Sequence, residues 1–165
     1  MSSSKTRISR VEGPGVSPLD GHIGWLQSPA TAARGGKFYI RDLTDPTILA
    51  VSTNRANYVT IEDSVDSTSA QYKFDKARGL NPGIEAGKQQ KCLILVPGVE
   101  FEIETYASTG TGAITTSTSI DGQLGVNATG FLCEKQSSGA GSTALARLIG
   151  NHITARNTVR IKWTG

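Results

Sequence analysis

The chain has 165 residues, of which 37% are apolar and 19% charged, with a formal net charge of +3. That length supports one compact domain with a real core and leaves little room for two. Low charge argues against a disordered chain, and the modest apolar content against a membrane protein. No window reaches the roughly 18 consecutive apolar residues of a membrane span. The opening Met1-Ser2-Ser3-Ser4-Lys5 lacks the apolar centre of a secretion signal, so the protein is expected to act where it is made.

Nineteen glycines, with many Ser and Thr, mark a chain of strands and turns. Residues 1–36 stand apart. They hold Gly13-Pro14-Gly15, Ser17-Pro18, Gly21, Gly24, Ser28-Pro29 and Gly35-Gly36, a density that stops helices and interior strands. The first ten residues carry Lys5, Arg7 and Arg10 and no acid. The segment reads as an extended arm, with Ile23, Trp25 and Leu26 as its apolar anchor; a free tail rarely needs a tryptophan.

Residues 37–165 read as one β-barrel or sandwich. Phe38-Tyr39-Ile40, Thr47-Ile48-Leu49-Ala50-Val51, Tyr58-Val59-Thr60-Ile61 and Gln71-Tyr72-Lys73-Phe74 are short β-branched or aromatic runs between turn signals. Residues 75–90 form a polar break around Asn81-Pro82-Gly83, expected to be a surface loop. Cys92-Leu93-Ile94-Leu95-Val96 is continuously apolar, as in a buried central strand. After Pro97-Gly98 comes strict alternation. Phe101, Ile103 and Thr105 point one way, and Glu100, Glu102 and Glu104 the other, onto a solvated or salt-bridged face.

The Thr- and Ser-rich run Thr109–Ser119 suits an edge ribbon, and Asp121-Gly122 suits a tight hairpin leading into Leu124 and Val126. Phe131-Leu132-Cys133 is another short strand, and Ser137–Ser142 a flexible loop. Thr143–Ile149 fits a strand or one helical turn. Thr158–Trp163 closes the chain by alternation, with Val159, Ile161 and Trp163 on one face. The expected core is Leu93, Leu95, Phe101, Ile103, Leu132, Val159 and Ile161.

Chemical motifs are sparse. Gly83-Ile84-Glu85-Ala86-Gly87-Lys88-Gln89 fails as a phosphate loop, because three residues separate its glycines and Gln89 replaces the magnesium-binding hydroxyl. Gly139-Ala140-Gly141 is too short for a dinucleotide fingerprint, and there is no nucleophile elbow. His22 and His152 are isolated and no Cys-x-x-Cys exists, so neither a metal nor another cofactor is expected. Cys92 and Cys133 read as buried thiols. The carboxylates at 100, 102 and 104 share one strand face, whereas a glycosidase pair faces across a cleft. Asn127-Ala128-Thr129 matches a glycosylation acceptor but reads as a turn. No enzyme activity is expected.

Charge is distributed unevenly. Between Cys92 and Glu134 there are five acids and no Lys or Arg; from Arg147 to the end there are four bases and no acid. Such polarity pairs segments within a fold or joins one subunit to the next. The expectation set here is a subunit interface made by Glu100, Glu102 and Glu104 with Arg156, Arg160 and Lys162. The acidic stretch opposes nucleic-acid binding, despite the sequence pI of about 9.0.

The order of features over residues 91–165 carries a resemblance. A strand leads to Pro97-Gly98-Val99, then an alternating strand, a Gly/Thr ribbon and Asp121-Gly122-Gln123-Leu124-Gly125. The segment Ala144-Leu145-Ala146-Arg147-Leu148-Ile149-Gly150 follows, and Asn157-Thr158-Val159-Arg160-Ile161-Lys162-Trp163 ends the pattern. It resembles the small β-barrel domains of tailed-bacteriophage capsid decoration, or cement, proteins. The resemblance implies trimeric subunits made in the host cytoplasm and bound to the major capsid protein lattice, on the outside of an icosahedral head. It also implies that Lys5, Arg7, Arg10, Ile23, Trp25 and Leu26 contact that lattice. Other expectations from the sequence are a tail-tube or head-completion subunit, and a carbohydrate-binding module using exposed aromatics.

Overall fold

The computed structural model describes residues 9–12, 23–27, 36–41, 43–44, 49–60 and 89–165. These residues form an all-β fold of two antiparallel sheets. The strands in chain order are β1 (Ser9–Glu12), β2 (Ile23–Gln27), β3 (Phe38–Arg41), β4 (Leu49–Ala50), β5 (Tyr58–Thr60), β6 (Gln89–Ile94), β7 (Glu100–Ile103), β8 (Gln123–Val126), β9 (Leu132–Glu134), β10 (Ala146–His152) and β11 (Thr158–Trp163). One helical turn, α1 (Ile153–Arg156), joins β10 to β11. The first sheet has the order β1-β7-β11-β10-β8-β9, and the second β2-β6-β5-β3-β4.

The two inner faces share one core. From the first sheet come Phe101, Ile103, Leu124, Val126, Leu132, Leu148, Val159, Ile161 and Trp163; from the second and its connections come Phe38, Ala56, Val59, Leu93 and Leu95. All seven residues expected in the core are buried. The Trp163 ring stacks on Phe38 at 5.6 Å between centroids, which ties the sheets together at their aromatic centre. At one corner the Phe38 N–H donates to the Gly130 carbonyl at 2.8 Å, a backbone link from β3 to the β8–β9 loop.

The second sheet is apolar on both faces. Phe38, Val59 and Leu93 are register partners and enter the main core. Tyr39, Leu49 and Cys92 form a separate buried cluster, with Tyr58 half-buried against it. This explains why the run from Cys92 to Val96 is apolar without interruption.

Turn chemistry follows the sequence in places and departs from it in others. Val96 to Val99 is closed by a 3.1 Å bond from the Val99 N–H to the Val96 carbonyl. Proline at the second position and Gly98 at φ 95° at the third are the residues such a turn requires. Asn127 also makes a turn. Its Oδ1 accepts from the N–H groups of Thr129 and Phe131 and from the Thr129 hydroxyl, and Gly130 takes φ 87° behind it.

Three expectations are corrected. Thr109–Ser119 is not a ribbon: its loop lies along the outer edge of β9, with the Glu134 N–H donating to Gly112, and buried Ile114 fills the space beneath. Asp121-Gly122 is not the tip of a two-stranded hairpin. Asp121 takes φ 65°, and its turn is tied to β10 through Leu148, because β8 pairs with β10 on one side and β9 on the other. The polar break ends sooner than expected, since Gln89 and Gln90 already pair with Gln27 and Leu26. Of the two forms expected for Thr143–Ile149 the strand is found, from Ala146 onward in β10, and the helical turn comes after it, ended by Asn157 at φ 55°. The strand expected at Gln71–Phe74 lies outside the described residues.

Candidate assembly interface

The alternation of β7 sends Phe101 and Ile103 into the core and Glu100 and Glu102 to the outer face. β11 lies beside it antiparallel, with Arg160 opposite Glu102 and Lys162 opposite Glu100. Cross-strand neighbours on one face are close enough for their side chains to meet.

The pairs that form are partly diagonal. Arg160 Nη2 lies 3.2 Å from Glu100 Oε2, and Lys162 Nζ lies 3.7 Å from Glu100 Oε1. Glu102 instead takes Arg156, from the last turn of α1. Arg156 Nε donates to Glu102 Oε1 at 2.6 Å, and Nη2 donates to Oε2 at 3.1 Å. The Thr158 hydroxyl donates to the same Oε1. A fork of two parallel bonds suits a guanidinium and a carboxylate.

Glu102 is therefore buried although its face is the outer one: it is 3% exposed. Burial pushes its carboxyl pKa up, but the hydrogen bonds from Arg156 and Thr158, with the charges of Arg156 and His152, outweigh burial. The net pKa lies below the ordinary carboxylate range. The sequence placed Glu102 on a solvated or salt-bridged face; its burial depends on an arginine folded over it from α1, which strand alternation does not reveal. Glu104 is half-buried beyond the end of β7. Nearby, the Tyr106 hydroxyl donates to Asn157 Oδ1 at 2.9 Å, fixing the left-handed residue that ends α1.

Five of the six residues assigned to a subunit interface thus pair within one chain, Glu100 and Glu102 on β7 with Arg160 and Lys162 on β11 and Arg156 on α1. The arm meets β7 at its other edge. β1 pairs with β7, placing Ser9 opposite Glu102 and Glu12 opposite Glu100. Arg10 lies between them in β1; Lys5 and Arg7 lie outside the described residues. β2 pairs with β6, with Ile23 opposite Leu93, Trp25 opposite Lys91 and Leu26 opposite Gln90. Both described pieces of the arm are therefore sheet-edge strands.

Other chemistry is limited. Both thiols are free and buried. Burial pushes the Cys92 thiol up to about 12 and also raises Cys133, so both stay protonated near neutrality. A shallow recess of about 310 Å³ lies between Thr111, Asn127, Cys133, Gln136 and Ala140, with no charged side chain in its lining. Among the described residues, no group of three or more His, Cys, Asp or Glu is placed to hold a metal ion, and no helix is long and apolar enough to cross a membrane. No protein-family model matches the chain, and no curated protein is detectably similar to it.

Proposed function

We propose that this chain is a structural virion protein, a capsid decoration or cement subunit that binds the outside of an icosahedral phage head. On this reading it is not an enzyme, and it works through protein–protein contacts as a homo-oligomer, most simply a trimer. The observation that carries the reading is the position of the arm. Its two described strands lie at the edge of each sheet, where backbone pairing is the means of attachment. The order of strands over residues 91–165, from β6 to β11, supports it further, although the Gly/Thr stretch and Asp121-Gly122 do not form the ribbon and hairpin of that pattern.

The attachment step divides by chemistry. Trp25 supplies a large rigid ring, which offers much contact area for little rotamer entropy. Lys5, Arg7 and Arg10 supply positive charge, which makes docking onto acidic lattice surfaces sensitive to salt.

The test is co-sedimentation of the purified chain with phage heads lacking their decoration, at low and high salt. Wild type is expected to saturate the heads and to elute alone as an oligomer by light scattering. Trp25→Ala is expected to lower head occupancy at least tenfold while keeping a β-type far-ultraviolet spectrum. Wild-type chain that leaves heads bare, or occupancy unchanged by Trp25→Ala, overturns the proposal.

A further inference from the structure

The outer face of the first sheet carries more positive charge than its own carboxylates answer. Across the sheet, Glu100 on β7 stands opposite Lys162 on β11, Lys162 opposite Arg147 on β10, and Arg147 opposite Gln123 on β8. Lys135, just past β9, closes the row, with its N–H donating to the Gln123 carbonyl at 2.9 Å. We propose that this row, Lys162, Arg147, Gln123 and Lys135, is a docking surface for a carboxylate-rich patch on a partner protein. It belongs to the body of the sandwich rather than to the arm, and it takes an acidic protein whether or not that protein is a capsid subunit.

Three observations carry it. First, alternation turns the row outward. Arg147 is exposed between buried Ala146 and Leu148, Lys162 between buried Ile161 and Trp163, and Gln123 beside buried Leu124. Lys135 is exposed as well. A strand spacing of roughly 4.8 Å spreads the three cations over roughly 15 Å. Second, the cations lack acids of their own. Glu100 is already shared by Arg160 and Lys162, and Glu102 is held by Arg156. Among the described residues no acid forms an ion pair with Arg147 or Lys135. Third, Lys162 and Arg147 are like charges directly opposite on neighbouring strands, with Cβ atoms roughly 5 Å apart, an arrangement that costs stability in the free chain. A partner's carboxylates turn that repulsion into attraction. The row is also the open part of its end of the sheet. At the next outward position on β8, a Cβ on Gly125 would collide with the Gly141 carbonyl of the loop lying over it. The row holds no aromatic ring on which bases could stack, which favours protein over single-stranded nucleic acid. Gln123, set between two cations, offers an amide to a carboxylate or a backbone.

The experiment uses the full chain and fluorescently labelled poly-L-glutamate, read by anisotropy at low and high salt, with single-stranded DNA of matched charge as a second polyanion. Wild type is expected to bind poly-L-glutamate at low salt and to release it at high salt. Arg147→Gln is expected to weaken binding about threefold, and Arg147→Gln with Lys135→Gln about tenfold, on the order of one and two exposed ion pairs. Arg55 is an exposed cation on the β4–β5 connection of the other sheet. Arg55→Gln is expected to change affinity by less than roughly 1.5-fold, because a charge remote from the row is largely screened. Gln123→Lys is expected to tighten binding and Gln123→Glu to weaken it; both leave the cations in place, so they decide the matter if the double variant misfolds. Since Arg147 faces a like charge, Arg147→Gln is expected to keep or raise the urea midpoint. A lowered midpoint assigns Arg147 to the fold and overturns the proposal. Equal losses for Arg147→Gln and Arg55→Gln overturn it too, because they mark net charge alone. So do wild type that ignores poly-L-glutamate, Gln123 variants that bind alike, and tighter binding of the DNA, which marks a nucleic-acid surface instead.

Discussion

The two sheets solve burial differently. In the first, the central strands have one apolar face: β7 turns Phe101 and Ile103 inward and Glu100 and Glu102 outward, and β11 turns Val159, Ile161 and Trp163 inward and Arg160 and Lys162 outward. The second is apolar on both faces, with Leu93 in the main core and Cys92, Tyr39 and Leu49 in a cluster behind it. A one-sided sheet leaves alternation in the sequence, and a two-sided sheet leaves short continuous runs. The first kind fixes strand and orientation together. The second shows that a strand exists without showing what lies on either face.

The largest expected effects test whether both faces of the second sheet are cores. Phe101→Ala and Trp163→Ala remove rings that are fully buried between the sheets. Each is expected to lower unfolding free energy by about 3–5 kcal/mol. Leu49 sits in a two-residue strand, yet it is 1% exposed in the smaller cluster. If that cluster is a true core, Leu49→Ala costs about 2–4 kcal/mol in urea melts. A loss below about 1 kcal/mol, the size expected of a surface site, reduces the second sheet to a one-sided element.

Next in size is the ionic face. Arg156→Ala leaves the buried Glu102 carboxylate with the Thr158 hydroxyl but without its guanidinium. Breaking one side of a fully buried pair costs about 3–5 kcal/mol. Arg156 is 46% exposed, so water screens the pair and about 1–3 kcal/mol is expected. Glu102→Gln in the Arg156→Ala background is expected to recover part of the loss, because it removes the stranded charge. A double variant worse than Arg156→Ala alone means that the carboxylate is stabilised chiefly by groups other than Arg156.

The same site sets a pH dependence. Glu102 has a folded-state pKa below its unfolded value. Its contribution is complete above the unfolded carboxylate pKa of about 4.3. It is lost as pH falls through the lower folded pKa. Wild type is therefore expected to lose more stability than Glu102→Gln on acidification from pH 5 to pH 3 (~2 pH units across the carboxylate range), measured as urea midpoints. Parallel midpoints for the two proteins across that interval remove Glu102 from the account of acid unfolding.

How much was legible follows the same division. Alternation placed β7 and β11 and their core residues, because Phe101, Ile103, Val159 and Ile161 recur with period two. Pro97-Gly98 and Asn127 marked turns through their own backbone chemistry. The charge contrast between the middle and the end of the chain was visible, but not its resolution. Arg156 meets Glu102 only because α1 and the left-handed Asn157 fold the guanidinium back, and this short turn gives no helical period. Ile114 was missed for a related reason: a single apolar residue among Thr and Gly carries no pattern, and only tertiary packing shows that it fills the core edge. The arm was legible as extended chain. Its backbone partners were not, since residues 9–12 and 23–27 pair with strands remote in sequence.

The smallest expected effects separate the two ion pairs made by Glu100. Lys162 Nζ is 3.7 Å away and its side chain is 48% exposed, whereas Arg160 is 3.2 Å away and 19% exposed. An exposed lysine loses side-chain freedom when held in one geometry and gains little Coulomb energy in water, so such pairs are worth about 0–0.5 kcal/mol. Lys162→Ala is expected to fall in that range and to vanish in high salt, where the screening length drops to about 3 Å at 1 M. Arg160 is more enclosed, and its stem covers sheet surface as well as carrying charge. Arg160→Ala is expected to cost about 0.5–1.5 kcal/mol, with a part that salt does not remove. Urea melts of both variants at low and high salt decide the matter. Equal, fully salt-sensitive losses would mean that Arg160 acts only as a charge, and that the outer face of the first sheet is held by screened ion pairs everywhere except at Glu102.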